Sequence, residues 1–230
     1  MASRPAAGGG RWVSVAPERM AGWARGFADR HGPTEAVVER AEGVESVEST
    51  VVVLRAADGA VAECHVPFPP LTLPRGQAPL EALVAHAIRP RRVGVLLVRL
   101  GGHAAGVFEG ERLVDSKVGS RQVHGRSAAG GWSQQRFARR REKQAGEAAR
   151  AAAEVALRVL GPQVPRLEAV VLGGDRRAVE AVREDTRLAG VFALAGGPFL
   201  DVPDPRLAVL RAAPGLFRAV RVRVLDPGEG

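Results

Sequence analysis

Ser133-Gln134-Gln135 closes a glycine-rich stretch, residues 119–133, and opens a strongly basic one. Glutamine is a poor acid or base because its amide does not titrate near neutrality, yet it donates and accepts hydrogen bonds at once. Such an uncharged amide can hold a water against an ester carbonyl. Gly130 and Gly131 carry no Cβ, so backbone N–H groups there can come close to a reacting oxyanion. Arginines and lysines around the stretch would hold an RNA backbone. Chemistry of this kind rests on positioning and electrostatics rather than on a strong base. Residue types alone describe an RNA-binding loop and helix, with either Gln134 or Gln135 as the working amide.

Other combinations are poorer. His31, His65, His86, His103 and His124 never pair at i, i+4, and no acidic residue completes a metal motif, so no catalytic metal is expected. The single cysteine, Cys64, can form neither an internal disulfide nor a thiolate metal site and reads as a small hydrophobe in a strand. Ser133 lacks the nucleophile-elbow pattern of serine hydrolases. Gly173-Gly174-Asp175 follows an apolar run but lacks the dinucleotide G-x-G-x-x-G and a Walker lysine, and reads as a tight turn; residues 128–132 match neither motif. No cofactor is expected.

Charge marks the same region. Of the 230 residues, which carry a net charge of +8, the window Lys117–Arg150 holds nine bases and two acids, a local excess of +7. A concentration of this kind is the footprint of a polyanion, phosphates above all, whose neutralisation releases counterions. The plain reading is a solvated basic helix face. Individual arginines carry little weight here, because the excess of Ala, Gly and Arg has the look of a GC-rich genome.

The elements that must position these residues are legible from periodicity and punctuation. Residues 1–10 are rich in Ala and Gly and are expected to be disordered. A short helix over 15–30 has Pro17 near its start and Met20, Trp23 and Phe27 at docking spacing; core packing is the expectation for Trp23 rather than base stacking. Thr50–Arg55, Asp58-Gly59 and Val61–Val66 read as a hairpin. Residues 67–80 hold five prolines and form a loop, followed by a short helix over Glu81–Ile88. Arg92–Leu100 is a buried strand, with Ala104–Phe108 and Arg112–Val118 as antiparallel neighbours in a meander. Residues 119–133 form a long flexible loop in which Ser133 is placed to cap the next helix.

That helix runs from about Gln134 to Leu160, with Phe137, Ala145, Ala148, Ala152, Val155, Ala156 and Leu160 on an apolar stripe. Its first turns are basic, against the preference of the macrodipole, a local cost that hints at function. Leu167–Leu172 is a strand, Arg176–Arg187 a helix, and the alternation in Phe217–Leu225 a final strand. Residues 190–196 stay unassigned, and Pro203–Leu210 opens either a helix or a strand. The fold class is mixed α/β, one β-sheet flanked by helices. Residues 1–48 form a disordered start with a short helical region, and residues 49–230 the catalytic domain.

The stretch Lys117–Gln144, KVGSRQVHGRSAAGGWSQQRFARRREKQ, resembles the actinobacterial branch of the Vms-type release-factor-like hydrolases, which relate to the central domain of eukaryotic and archaeal peptide-chain release factors. The likeness extends more loosely to Val93–Phe108 and Leu167–Val182. In release factors a Gly-Gly-Gln tip enters the peptidyl transferase centre; in Vms-type proteins the tip has a Gly-Ser-Gln-like form. The matching positions are Gly131, Trp132, Ser133 and Gln134, with Gly130 in the same tip loop and Trp132 standing between the glycines and Ser133-Gln134. The resemblance implies that Gln134 is the catalytic amide, with Gln135 directly behind it. It also implies that Arg136, Arg139, Arg140 and Arg141 hold the tRNA acceptor stem or ribosomal RNA. Lys117, Arg121, His124, Arg126 and Lys143 complete the candidate RNA-binding set.

The implied activity is hydrolysis of the ester joining a nascent peptide to the terminal adenosine of tRNA, with its 2′-hydroxyl assisting. Cleavage of the tRNA near its 3′ end is the alternative within the resemblance. The sequence shows no codon-reading domain, zinc-binding cysteines or ankyrin repeats, so codon-independent rescue is the expectation. The implied partners are peptidyl-tRNA and the large ribosomal subunit with its RNA. No signal peptide and no apolar run of membrane-spanning length are visible, so a cytoplasmic protein without membrane contact is expected. Two rivals stand beside the hydrolase: a non-catalytic RNA- or ribosome-binding protein in which Gln134 is dispensable, and a structural α/β protein with a basic surface and no salt-dependent RNA affinity.

Overall fold

The computed structural model describes residues 3–40, 50–120 and 134–228, and only the backbone of Ser3, of Arg40 and of residues 134–142. The described residues form two compact units: a first made of the chain up to Arg89 and again from Phe217, and a second, Pro90–Leu216, inserted in it along the sequence.

The first unit opens with β1 (Ser3–Pro5) and β2 (Arg11–Val15), an antiparallel pair. This corrects the expected disorder for residues 3–10; residues 1 and 2 lie outside the described residues. Gly8, Gly9 and Gly10 all take positive φ, a conformation that glycine adopts without steric cost. A Cβ at Gly10 would stand 2.3 Å from the Val224 carbonyl oxygen. The composition that looked disordered is that of a tight turn. A 3-10 turn, Pro17–Arg19, leads into α1 (Met20–His31). Met20 and Phe27 are fully buried as their spacing predicts, and Trp23 stacks on Phe27 at 5.7 Å. β3 (Thr34–Arg40) was not foreseen. β4 (Thr50–Ala56) and β5 (Val61–His65) form the expected hairpin, its turn held by the Ala60 N–H donating to Asp58 Oδ1 at 2.9 Å and by Gly59 at φ +92. α2 (Pro79–Ile88) follows the proline loop.

The second unit holds β6 (Arg92–Arg99), β7 (Gly102–Glu109) and β8 (Arg112–Ser120) as the expected meander. Then come α3 (Gln134–Leu160), a 3-10 segment from Gly161 to Arg166, and β9 (Ala169–Gly174), which lies parallel to β6. The sheet order is β8-β7-β6-β9. α4 (Arg176–Arg183) is shorter than the predicted Arg176–Arg187. Asp185 intervenes: its side chain accepts from the Arg187 N–H at 3.1 Å and starts a separate 3-10 turn, Thr186–Leu188. α5 (Ala189–Ala193), α6 (Leu207–Ala212) and the single turn α7 (Pro214–Phe217) complete the unit.

The chain then returns to the first unit as β10 (Val220–Leu225), which inserts between β2 and β5 and completes the order β1-β2-β10-β5-β4-β3. The expected class, mixed α/β with sheets flanked by helices, stands, with two sheets instead of one. The boundary drawn at residues 48 and 49 lies outside the described residues; the division into units follows from the pairing of β10 with strands far back in sequence.

Cys64 is fully buried in β5, and burial pushes its thiol up to about 12, so it packs as a hydrophobe. His65 beside it is held down to about 4, by burial first and then by the charges of Arg221 and Arg223. The unfolded chain protonates this histidine at about 6.5. Between those values the unfolded state binds more protons, so stability is fully present above about pH 6.5 and is lost as pH falls towards 4. His103, also lowered by burial, acts in the same sense. Melting temperature is expected to fall steadily from pH 6.5 to 5, and more shallowly in His65→Phe; an unchanged slope would show that another group governs this limb. Among the described residues no helix is long and apolar enough to cross a membrane.

Candidate functional site

Registers place Ser120, where the described chain stops before the candidate loop, at one end of the second sheet. β8 runs parallel to β6, since both pair antiparallel with β7, and β9 is parallel to β6 as well. The C-terminal ends of β6, β8 and β9 therefore share one edge, where α/β sheets commonly bind ligands. Ser120, the last described residue before the loop, pairs with Gly102 at that edge. Gly174 and Asp175 turn the chain there: Gly174 takes φ +100, the Asp175 N–H donates to the Val98 carbonyl at 2.8 Å, and the Asp175 side chain caps α4 by accepting from Ala178 N–H at 3.0 Å.

α3 is the element that projects from this edge. Its C-terminal half lies on the sheet: Ala152, Ala153, Ala156, Val159 and Leu160 are buried against Leu96, Val98, Ala105 and Val107. Alanines let helix and sheet approach closely, and alanine is the strongest helix former. Leu160 reaches Gly94 near the start of β6, where an added Cβ would stand 3.2 Å from it. The helix thus runs against β6, with its N-terminus towards the loop edge. Lys143, Gln144, Ala145 and Gly146 are all exposed, a full turn free of packing, so the predicted stripe ends short of Ala145. At 1.5 Å per residue, Gln134 lies about 22 Å along the axis from Ala149, which packs at the margin of the core. Arg136, Arg139, Arg140 and Lys143 recur at i, i+3, i+4 and i+7, the spacing of one helix face, over the N-terminal turns of α3.

Lys117 is exposed on β8 and pairs with Ala105, so it faces the side of the sheet that α3 covers. The backbones of Gln134, Gln135, Arg136, Arg139, Arg140 and Arg141 are helical. Arg121, His124, Arg126, Gly130, Gly131, Trp132 and Ser133 lie outside the described residues. Among the described residues no group of three His, Cys, Asp or Glu side chains is arranged to hold a metal ion.

One residue at the root of the loop escaped the sequence reading. His103 on β7 is buried and sits opposite Gly119 on β8, the residue before the last strand position. A Cβ at Gly119 would stand 2.2 Å from His103 Nε2, so the imidazole occupies the space a side chain would need. No local pattern marks this pair; only the cross-strand register does. Gly119→Ala must displace the ring, and overpacking of this kind costs about 1–3 kcal/mol. A lowered melting temperature is expected; an unchanged one would mean that the ring swings aside freely.

A sequence profile described as Actinobacteria/chloroflexi VLRF1 release factor matches residues 91–223, more than half of the chain. Among curated proteins none matches. Among solved structures, the chain is similar to the archaeal translation termination factor aRF1, with 17% identity, 71% of this chain and 51% of that one covered, and a TM-score of 0.41. It is also similar to a chain described only as an archaeal protein, with 16% identity, coverage of 69% and 48%, and a TM-score of 0.36. The third is Dom34 of S. cerevisiae, described as a translation termination-like factor involved in RNA quality control pathways and interacting with Hbs1, with 7% identity, coverage of 94% and 69%, and a TM-score of 0.32. The chain spans about half the length of the first two.

Proposed function

Because the chain belongs to the Actinobacteria/chloroflexi VLRF1 release factor family, we propose that it hydrolyses peptidyl-tRNA and frees nascent peptides from stalled ribosomal complexes in the cytoplasm. The observation that carries the reading is α3: a helix anchored on the sheet by its alanine-rich half, with a basic N-terminal half leading back to Ser133-Gln134-Gln135. A rod of this form can carry an amide deep into a narrow RNA-walled site while its arginines rest on phosphates. The anchoring half also explains how the helix persists despite bases in its first turns, where the macrodipole disfavours them.

In the proposed reaction the Gln134 amide holds a water against the ester carbonyl. Its carbonyl oxygen accepts from the water and its N–H group donates to an oxygen of the substrate. The water oxygen bonds to the carbonyl carbon, and the bond from that carbon to the ribose 3′-oxygen breaks. The products are a free peptide carboxylic acid and a tRNA with an intact 3′-hydroxyl, the water supplying both the hydroxyl and the proton. Backbone N–H groups of the Gly130-Gly131-Trp132-Ser133 loop stabilise the oxyanion, and Lys117, Arg121, His124, Arg126, Arg136, Arg139, Arg140, Arg141 and Lys143 hold the RNA. No step requires a metal or cofactor.

The test is single-turnover release of labelled peptide from peptidyl-tRNA on purified ribosomal complexes, with the RNA product sized in parallel. Free peptide with full-length tRNA supports the hydrolase. A shortened tRNA carrying the peptide moves the chemistry to a phosphodiester. Binding without either product leaves a ribosome-binding protein.

A further inference from the structure

The first unit carries a second concentration of basic and aromatic groups, on the face of its sheet opposite the core. Along β10 the valines at 220, 222 and 224 are buried, while Arg221 and Arg223 alternate to the other face. The registers assemble that face. Arg4 on β1 stands opposite Trp12 on β2, Trp12 stands opposite Arg223, and Arg221 lies between Ser14 and His65. The Arg221 guanidinium stacks over the Trp12 ring at 4.4 Å, and the His65 ring lies against Trp12 at 5.0 Å.

Arg223 is neutralised where it stands: it meets Glu63 at 3.5 Å and donates to the carbonyls of Gly8 and Gly9, which holds the β1–β2 turn and with it Arg4. Arg221 is different. Burial and then the like charge of Arg4 lower its pKa from the usual arginine range while leaving it charged at neutral pH, and among the described residues no carboxylate offsets them. His65 is kept neutral, and its buried Nε2 has no hydrogen-bond partner among the described residues. An ordinary sheet surface pairs opposite charges across strands, and like charges close together destabilise it. Here two guanidiniums repel each other beside an indole and an imidazole, and among the described residues the Arg221–Trp12 stacking is the one attraction in the group that offsets the repulsion.

We infer that this face, with Arg4, Trp12, His65 and Arg221 at its centre, binds single-stranded RNA, a phosphate lying between Arg4 and Arg221 and a base stacking on the Trp12–Arg221 surface. Flat sheets bearing aromatics and arginines recognise unpaired RNA in this way: every base offers a π-face, and phosphates relieve the arginine repulsion. A purely anionic peptide would satisfy the arginines but leave the stacking surface unused. The site is separate from the release chemistry proposed for the tip and does not depend on Gln134.

The experiment uses the full chain with Arg139→Gln, Arg140→Gln and Arg141→Gln, which weakens the basic helix, and with Trp23→Phe and Trp132→Phe, which leaves Trp12 as the sole tryptophan. Fluorescein-labelled oligouridylate is titrated by anisotropy, and unlabelled oligouridylate by Trp12 emission. Trp12 is expected to be quenched in step with binding. Arg221→Gln and Arg4→Gln are each expected to weaken binding about 10-fold, and to lower the salt slope by about 1. Arg4 lies on an exposed edge strand, so Arg4→Gln decides the matter if Arg221→Gln does not fold. Unquenched Trp12 together with unchanged affinity in a folded Arg4→Gln protein overturns the inference. So does equal quenching by polyglutamate, which would assign the face to an acidic protein. Peptide release measured on the otherwise unaltered chain separates the two proposals: its absence removes the hydrolase and leaves Trp12 quenching standing, whereas release without quenching removes only this face.

Discussion

Gln134→Ala is expected to lower single-turnover peptide release by about 10²–10³-fold, the scale seen when one positioned donor is removed from a reacting centre. Affinity for the ribosomal complex and the length of the tRNA product should stay as in the unaltered chain. Alanine is the strongest helix former, so the first turn of α3 loses nothing in propensity. Gln135→Ala is the matched control, one residue further along the same turn. A helix turns 100° per residue, so the two amides cannot face the same point. Loss confined to Gln135→Ala would exchange their roles. Release undiminished in both variants would remove the glutamine mechanism and leave a binding protein.

The second large effect is on binding. Arg139, Arg140 and Arg141 stand in the N-terminal half of α3, in a window that holds nearly all of the chain's excess charge. If each neutralises one phosphate, replacing all three with glutamine removes about 0.9 of salt slope per contact, or roughly 2.7 in all. At about 0.15 M salt that corresponds to roughly 10²-fold weaker binding to ribosomes. The enzyme concentration needed for half-maximal release should rise accordingly, while the rate at saturation stays within a few-fold. This is the reverse of the Gln134→Ala pattern. An unchanged salt slope would mark the basic face as merely solvated. A collapse of the saturating rate at unchanged affinity would show that the arginines act in the chemical step.

The sequence by itself determined the local elements and where the candidate chemistry sits along the chain. Asp58-Gly59 between the runs Thr50–Arg55 and Val61–Val66 is a turn signal, and β4 and β5 pair across it. The apolar runs around Glu109-Gly110 form the meander of β6, β7 and β8, and α3 begins and ends where its basic and alanine-rich halves were read. These signals are short-range: periodicity, turn residues and charge density act over a few residues. The family resemblance of Lys117–Gln144 is likewise a local string, and the profile match across residues 91–223 agrees with it.

Tertiary structure decided what depends on partners distant in sequence. The alternation of Val220, Arg221, Val222, Arg223 and Val224 foretells a strand, but only pairing with β2 and β5 puts it in the first sheet and sets the division into two units. The three glycines at 8–10 look like a disordered start until Arg223 and Val224 are beside them. His103 becomes part of the loop root only through its register with Gly119, and Trp12, His65 and Arg221 become neighbours only across three strands. In each case the deciding contact is a cross-strand pair. Its energy depends on which side chains meet, and a one-residue slip in register would send every one of them to the opposite face.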